Sequence, residues 1–238
     1  MASIAVVTGA GSGVGRAVVL ALAKRGFDIA LVGRREDALN ETIALLNSRQ
    51  RKLAVPCDIS DPADVERMAQ RVRSKLGDPT VLVNSAGTNI ARRSLAELSL
   101  DDYKQVVDIN LNGAFFVTHV FLPAMRKQGS GTIVHVVSDA GLTANRISGA
   151  AYIASKFGLV GLTAAINAEE RNNGIRATAV LPGEINTPLL DRRPVPPPQE
   201  ARGKMLQAED VAACVMLAID LPQRAVVEQL LVRPLETR

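Results

Sequence analysis

Apolar, β-branched runs alternate with amphipathic helical patterns along almost the whole chain. This alternation predicts a parallel sheet with helices on both faces, because each helix that follows a strand has to pack back against the sheet. No linker or repeat interrupts the pattern, so residues 1–238 are predicted to form a single α/β domain. About seven strands are expected, beginning near Ile4, Phe27, Leu53, Thr80, Thr132, Ile175 and Glu228. Helices are predicted over residues 37–48, 62–75, 100–127, 151–171 and 208–219.

Composition argues against several classes of protein. The formal charge of +4 is mildly basic, but aromatic residues make up only 3% of the chain, too few to stack with nucleic acid bases. Cys57 and Cys214 cannot supply a disulfide framework or a Cys-based metal site, and no metal is expected. Because no apolar run reaches about 18 residues, no membrane span is expected, and the N-terminus lacks a signal-peptide pattern. We therefore expect a soluble cytoplasmic protein that binds neither nucleic acid nor membrane.

A glycine-rich turn follows the first strand. It reads Thr8-Gly-Ala-Gly-Ser-Gly-Val-Gly15 and leads into an apolar helix. Glycine lets the backbone turn tightly and approach a ligand, and a helix that starts there points free N–H groups at an anion. The spacing is Gly-x-x-x-Gly-x-Gly rather than the commoner Gly-x-Gly-x-x-Gly. Its strand–turn–helix context nevertheless favours a dinucleotide pyrophosphate site over an ordinary turn.

The end of the second strand bears on the choice between NAD and NADP. An acidic residue here accepts from the ribose hydroxyl of NAD, whereas an arginine suits the 2′-phosphate of NADP. This chain has Gly33 and Arg34 at that point, followed by Arg35. The alternative is that both arginines are simply solvated at the start of a helix. We predict NADP, with NAD as the less favoured cofactor.

Three other predicted strands end in segments that suit a ligand. Asp58 follows the third strand and could accept from an adenine amine, or cap the helix that begins at Asp61-Pro62. The fourth strand ends in Asn84-Ser-Ala-Gly87, whose small residues let the backbone pass close to a cofactor or form a plain turn. The sixth is followed by the shaped loop Leu181-Pro-Gly-Glu-Ile-Asn-Thr187.

Three polar side chains follow the fifth strand. Ser138 stands where that strand ends, and Tyr152 and Lys156 are four residues apart, so on a helix they share one face. A nearby lysine cation is expected to lower the pKa of the Tyr152 phenol from its usual value of about 10. Such a tyrosine can protonate a carbonyl oxygen or deprotonate an alcohol while Ser138 holds that oxygen. Alternatively, the pair is an interface tyrosine above a lysine stem.

Asn110 lies inside a segment that otherwise reads as an apolar helix. Asparagine is a poor residue in the middle of a helix because its side chain competes for backbone hydrogen bonds. We expect a local kink or a bound water at this position.

The candidate residues share one topological position. Gly9, Arg34, Asp58, Asn84, Ser138 and Pro182 each come just after a predicted strand. In an open parallel sheet these are the carboxyl ends, where ligands bind. We therefore expect them to meet at one edge of the sheet.

The chain resembles the short-chain dehydrogenase/reductase family. The matching residues occur in family order and cover nearly the whole chain: Thr8-Gly-Ala-Gly-Ser-Gly-Val-Gly15, Asp58-Ile59, Asn84-Ser-Ala-Gly87, Asn110, Ser138, Tyr152-x-x-x-Lys156 and Pro182-Gly183. Ser85 departs from the more frequent asparagine. The C-terminal segment after Gln229 lacks the Gly-Gly ending of many fatty-acid-type reductases, and is more similar to the branch that acts on 3-hydroxy acids, including serine dehydrogenases.

This resemblance implies a Rossmann-like, doubly wound fold and hydride transfer between NAD(P) and a carbonyl/alcohol pair. It implies that Tyr152 is the acid/base and that Ser138 orients the substrate oxygen. Lys156 would tune Tyr152 and hold the nicotinamide ribose, and Asn110 would hold a water in a proton relay. It also implies a homo-tetramer or homo-dimer packed through the helices predicted at 100–127 and 151–171.

The cofactor-binding residues expected on these grounds come from six parts of the chain. They are Gly9, Ser12, Gly13, Val14, Gly15, Arg34, Asp58, Ile59, Asn84, Ala86, Gly87, Tyr152, Lys156, Pro182, Gly183, Ile185 and Thr187.

Residues 187–207 break the alternation because they contain five prolines. Proline fixes φ and lacks a backbone donor, which predicts a loop or polyproline turn. Long unstructured loops are usually functional or disordered, and we expect this one to be a substrate lid. Arg192 and Arg193 within it could meet an acidic substrate.

Three functions are compatible with the sequence. The leading prediction is an NADP-dependent oxidoreductase for a small carbonyl or alcohol, and a 3-oxoacyl reductase is the alternative substrate class. A non-catalytic NADP-binding regulator is the alternative from a different class. The intact Ser138, Tyr152 and Lys156 argue against it, because a binding module does not need groups that transfer protons.

Overall fold

The computed structural model describes residues 3–47 and 49–236. The strands in this part of the chain are β1 (Ile4–Thr8), β2 (Asp28–Gly33), β3 (Lys52–Pro56), β4 (Val81–Asn84), β5 (Gly131–Val136), β6 (Ile175–Pro182) and β7 (Gln229–Val232). They form one parallel sheet in the order β3-β2-β1-β4-β5-β6-β7. The sheet winds outward in both directions from the β1–β4 pair, which is the arrangement of a doubly wound Rossmann-like fold. The predicted fold class is confirmed.

Helices cover both faces of this sheet. They are α1 (Gly13–Lys24), α2 (Glu36–Ala44), α3 (Pro62–Lys75), α4 (Leu100–Val107), α5 (Gly113–Gln128), α6 (Ala150–Glu170), α7 (Gln199–Arg202) and α8 (Ala208–Asp220). Side chains of α1, α2 and α8, such as Leu22 and Val215, fill the core on one face. Those of α3, α5 and α6, such as Phe121 and Ile166, fill the core on the other. Each such side chain contributes about 1.5–3 kcal/mol when fully buried.

The apolar strand sequences follow from this two-sided packing. Every residue of β4, β5 and β6 is buried, so no strand face is left for solvent. Parallel strands covered on both faces therefore read as near-continuous apolar runs. The strand starts predicted from the sequence agree with the observed ones to within one residue.

The helix predictions differ from the structure at two places. Helix α2 ends at Ala44 rather than continuing, and the predicted end at Ser48 lies outside the described residues. The helix predicted over 100–127 is divided by a π-helical turn at Asp108–Asn112. The expected kink at Asn110 is therefore present, and its cause appears in the contacts of that side chain described below.

The prediction of a loop or polyproline turn for residues 187–207 is wrong in part. The segment contains a 3₁₀ helix, Pro188–Arg192, and the short helix α7. Proline is favoured at the first position of a helix because its missing N–H would be unpaired there, so Pro188 starts structure instead of preventing it. An ion pair between Arg202 and Asp191 joins the two helices. A parallel bridge between Ile185 and Leu206 closes the base of the segment.

Two helical stretches, Leu100–Gln128 and Ala150–Asn173, are long and apolar enough to cross a membrane. The sequence analysis expected no membrane span because it considered only uninterrupted apolar runs. Both stretches pack on the sheet through buried side chains such as Phe121 and Leu159. Helices at the centre of a globular protein share this composition, so length and hydropathy alone are weak evidence for a membrane span.

Candidate active site

A cleft of about 750 Å³ opens at the carboxyl edge of the sheet. The loops after β1 to β6 all contribute to its wall, as the positions of the candidate residues after predicted strands led us to expect. The sequence-predicted residues that line it are Gly9, Ser12, Gly13, Val14, Gly15, Arg34, Asp58, Ile59, Ala86, Gly87, Ser138, Tyr152, Lys156, Pro182, Gly183, Ile185 and Thr187. Asn84 and Asn110 lie outside this wall.

The glycine turn after β1 has a shape that side chains would prevent. Gly9 and Gly13 have φ values of 68° and 50°, in the left-handed region that glycine adopts without strain. A Cβ on Gly15 would lie 2.2 Å from the carbonyl oxygen of Gly9. The turn therefore brings bare backbone and the N-terminus of α1 to the cleft, which suits an anionic group such as a pyrophosphate.

Substituting alanine at Gly15 is expected to disrupt this turn. The new methyl group would collide with the Gly9 carbonyl, so we expect weaker NADPH binding and a lower melting temperature. Cofactor binding by fluorescence titration and a thermal melt measure the two effects.

Gly161→Ala is the matched control, because Gly161 is also helical and a Cβ there would meet nothing within 4 Å. Alanine at an open helical position is expected to stabilise the protein by about 0.5–1 kcal/mol. If Gly15→Ala bound NADPH as tightly as the parent, the close packing of this turn would have no role in binding.

Arg34 and Asp58 stand together at the far end of the cleft from Tyr152. Arg34 is exposed, and its positive charge is near enough to lower the pKa of Asp58. Burial opposes this effect, but hydrogen bonds from Ser60 add to it, and the pKa of Asp58 is lowered overall. This end of the cleft thus combines a carboxylate with an arginine that has no hydrogen-bond partner among the described residues.

The alternative role of Asp58 as a helix cap is not observed. Asp61 caps α3 instead, and its side chain accepts from the Ala63 N–H at 2.9 Å. Asp58 accepts from the N–H and the hydroxyl of Ser60 at 3.0 and 2.7 Å. The Asp58 side chain lines the cleft, where it can also meet a ligand.

Ser138, Tyr152 and Lys156 converge at the end of the cleft beyond β5. The Ser138 side chain lies close enough to the Tyr152 phenol to lower its pKa, and the Lys156 ammonium lies 5.5 Å from the centre of the Tyr152 ring. Lys156 is buried and donates to the Val136 carbonyl at 3.1 Å. The alternative of an interface tyrosine above a lysine stem would leave the lysine head in water, whereas the Lys156 ammonium is buried and bonded to the Val136 carbonyl.

The expected lowering of the Tyr152 pKa is not observed in the protein alone. Burial raises the pKa of the phenol and outweighs the lowering effects of Ser138 and of the positive charges of Arg193 and Arg93. Burial also lowers the pKa of Lys156 to about 8. The sequence argument considered the charge of the lysine but had no means of estimating desolvation, which acts on both groups.

The side chain of Asn110 links two neighbouring segments. Its Oδ1 accepts from the Thr88 N–H at 2.7 Å, and its Nδ2 donates to the Thr88 carbonyl at 3.0 Å and to the Ser155 hydroxyl at 3.1 Å. These buried bonds pull the helix out of α-helical register, which accounts for the π-helical turn. One Oδ1 lone pair remains, and the implied water relay stays a prediction.

Asn84 does not face the cleft. Its Nδ2 donates to the Thr118 hydroxyl at 3.2 Å, and the side chain is buried against α5. Strand residues alternate between the two faces of a sheet, and Asn84 points to a face rather than past the strand end. The segment that follows it, residues 85–88, lines the cleft instead.

Sequence reasoning missed two residues near Tyr152. Thr88 lines the cleft next to Gly87. Arg93 is 7% exposed, and its positive charge acts on the Tyr152 phenol. Neither belongs to a motif, and an isolated arginine carries no sequence signal for burial. Within the described residues, no group of three or more His, Cys, Asp or Glu side chains is suited to a metal ion.

A cleft of this kind at the carboxyl edge of a doubly wound sheet defines a nucleotide-binding α/β protein. A sequence model described as short chain dehydrogenase matches residues 3–195. An uncharacterized oxidoreductase of Staphylococcus haemolyticus is 30% identical over 233 residues, which cover 97% of this chain and 96% of that protein. The chain therefore belongs to the short-chain dehydrogenase/reductase family.

Solved structures agree with this assignment. An alcohol dehydrogenase from the archaeon Thermococcus sibiricus, complexed with 5-hydroxy-NADP, is 27% identical with a TM-score of 0.88, covering 100% of this chain and 99% of that chain. An actinorhodin polyketide ketoreductase with NADPH is 30% identical with a TM-score of 0.89, covering 98% of this chain and 96% of that chain. The protein is thus a dehydrogenase or reductase that acts on CH–OH or C=O groups of small molecules with a nicotinamide cofactor.

Proposed function

We propose that the protein transfers a hydride between NADP(H) and a carbonyl compound or secondary alcohol, with Tyr152 as the general acid/base. The observation that carries this proposal is the convergence of Tyr152, Ser138 and Lys156 in the cleft that begins at the glycine turn. The NADP-type cofactors in the two solved structures named above lend support to NADP.

The residues of the cleft fit a dinucleotide. Gly9 and Gly15 pack so closely against neighbouring backbone that any Cβ would change the shape of the turn, and Gly13 has a positive φ. In the proposed complex this turn holds the pyrophosphate, Arg34 the 2′-phosphate and Asp58 the adenine amine. The remaining proposed contacts are Ser12, Val14, Ile59, the backbone after Asn84 (Ala86 and Gly87), Tyr152, Lys156, Pro182, Gly183, Ile185 and Thr187. When bound, the nicotinamide supplies or accepts the hydride.

Side chains of the protein carry out the proton transfer. Because burial raises the pKa of Tyr152, the phenol keeps its proton at neutral pH and can give it to a carbonyl oxygen. Ser138 donates to the same oxygen and orients it, as its position beside the phenol suggests. Lys156 holds the nicotinamide ribose and, when charged, favours the phenolate that forms. Asn110 fixes the Thr88 backbone and Ser155 on either side of the proton path.

A panel of carbonyl compounds and alcohols, followed by NADPH absorbance, tests this function. We expect turnover of at least one member of the panel, and a preference for 3-oxoacyl compounds would favour the alternative reductase. NADPH binding without turnover of any compound would favour the non-catalytic regulator.

We also propose that residues 187–207 are a substrate lid. Trypsin cleaves after arginine and lysine unless proline follows, so the segment offers Arg192, Arg202 and Lys204, while Pro194 protects the bond after Arg193. We expect NADPH together with a substrate from the panel to slow cleavage in this segment. Equal cleavage rates with and without these ligands would count against a lid.

Assembly into a homo-dimer or homo-tetramer, a cytoplasmic location and membership of the 3-hydroxy acid branch stay predictions. Phe115 on α5 and Phe157 on α6 are each 44% exposed, which supports packing between subunits through these helices.

A further inference from the structure

Three arginines surround the end of the cleft where Tyr152 lies. Arg192 lines the cleft. Arg93 donates from Nη2 to the main-chain carbonyl of Arg192 at 2.6 Å. The positive charges of Arg193 and Arg93 both act on the phenol of Tyr152. This is an unusual concentration of positive charge around a group whose proposed task is to handle one proton.

One of the three charges is already balanced. Arg193 donates from Nη1 to Oε1 of Glu184 at 2.7 Å, and both side chains are partly buried. The other acidic group near Tyr152, Asp139, forms an ion pair with Arg233 at 3.5 Å. Within the described residues, Arg93 and Arg192 therefore have no acidic partner.

Arg93 is buried in a way that leaves its charge unmatched. Only 7% of the residue is exposed, and apart from the Arg192 carbonyl its guanidinium reaches only the carbonyl of Ile147, at 3.3 Å. Its Nε atom is buried and has no hydrogen-bond partner. A buried charge is costly unless a counter-charge accompanies it, and the pKa of Arg93 is lowered, first by burial. These features indicate that a bound anion supplies the missing counter-charge.

Arg192 is held at the end of the cleft where the reaction takes place. Its Nη1 donates to the Thr88 hydroxyl at 2.7 Å, and the Thr88 N–H is bonded to Asn110 beside α6. Arg34, the residue proposed for the 2′-phosphate, lies instead beside Asp58 after β2. The cofactor phosphate at that end therefore does not account for Arg192.

We infer that Arg192 binds the anionic group of the substrate, a carboxylate or a phosphate, and so forms an anion subsite. Arg93, which donates to the main-chain carbonyl of Arg192, strengthens the positive potential of this subsite. The substrate class is then a carbonyl or hydroxyl compound whose reacting carbon lies a few bonds from an anion. An arginine suits such a group because its planar fork matches the oxygens of carboxylate and phosphate. This inference rests on the proposed function, which positions the reacting carbon at Tyr152.

Two matched substrate pairs test the inference with NADPH. Acetoacetate is compared with methyl acetoacetate, and dihydroxyacetone phosphate with dihydroxyacetone. We expect the anion of at least one pair to exceed its neutral partner at least about tenfold in kcat/KM, and the pair that responds identifies carboxylate or phosphate. Equal or better use of both neutral compounds would overturn the inference.

Arg192→Gln is the decisive variant, because glutamine can still donate to Thr88 while the charge is lost. It should remove the preference for the anion. Arg93 is less suitable for substitution, since its side chain also joins Ile147 to the segment that carries Arg192. Arg146→Gln is the matched control, as Arg146 is exposed, does not line the cleft and carries the same charge. A preference that survives in Arg192→Gln would also overturn the inference.

If none of the four compounds is reduced, calorimetry with the NADPH-bound enzyme replaces turnover. Binding of acetoacetate or dihydroxyacetone phosphate that disappears in Arg192→Gln would support the subsite, and binding of neither would overturn it. The outcomes separate the two proposals. Reduction of neutral ketones without preference for an anion retains the function and rejects the subsite. Arg192-dependent anion binding without any turnover retains the subsite and rejects the function.

Discussion

Replacing Tyr152 with phenylalanine is expected to lower kcat by about a hundred- to ten-thousandfold while NADPH affinity stays close to that of the parent. Phenylalanine keeps the ring beside Lys156 and removes only the hydroxyl that carries the proton. Among the described residues no other tyrosine lines the cleft, so no second phenol can take its place. Steady-state rates with a substrate from the panel and a fluorescence titration of NADPH measure the two quantities.

The chain offers a matched control for this experiment. Tyr103 is the only other tyrosine in the sequence, and it is 42% exposed on α4. Tyr103→Phe makes the same chemical change away from the cleft, and we expect both kcat and NADPH affinity to be unchanged. If Tyr152→Phe retained more than a small fraction of the parent rate, the proton would have to come from another group.

Cofactor preference is expected to change by a large factor when the end of β2 is altered. We predict that the parent prefers NADPH over NADH at least about tenfold in kcat/KM, since a charge-assisted contact contributes about 1.5–3 kcal/mol. Arg34→Ala should remove most of this preference by weakening NADPH alone. Gly33→Asp should reverse it, because a carboxylate repels the 2′-phosphate and accepts from the ribose hydroxyl of NADH.

The structure indicates that aspartate can be accommodated at position 33. A Cβ on Gly33 would meet its nearest neighbour, Cδ2 of Leu39, at 3.4 Å, which is an ordinary contact. Kinetic constants for both cofactors should be compared with those of Arg71→Ala, which removes one exposed arginine on α3, away from the cleft. Unchanged constants for both cofactors in Arg34→Ala would mean that the arginine is merely solvated, and the NADP assignment would be withdrawn.

The alternation of strands and helices was enough to predict the sheet and the edge where the site lies. Parallel strands all point the same way, so residues that follow them must collect at one end whatever the details of packing. This is why Gly9, Arg34, Asp58 and Ser138 could be grouped from the sequence, although they lie in four separate segments. The four-residue spacing of Tyr152 and Lys156 was equally informative, because helical geometry is local.

Other features depend on contacts between distant parts of the chain. The strand motif that contains Asn84 does not reveal that its side chain turns toward α5. The π-helical turn at Asn110 depends on Thr88, 22 residues earlier, and on Ser155, 45 residues later. Residues 187–207 read as unstructured because prolines suppress the usual helical pattern, yet tertiary contacts and ion pairs organise them.

The charges at the reacting end of the cleft are the clearest example of a feature that depends on tertiary contacts. Arg93 bonds to carbonyls that are 54 and 99 residues away, so no local pattern could reveal that it is buried near Tyr152. The pKa of Tyr152 likewise depends on how much water the folded protein removes from the phenol. Sequence alone determined which groups follow the strands and the helical face that Tyr152 and Lys156 share, because both follow from local geometry and strand direction. Burial and charge pairing were decided only by the tertiary structure, because desolvation and Coulomb forces act between groups that the fold brings together.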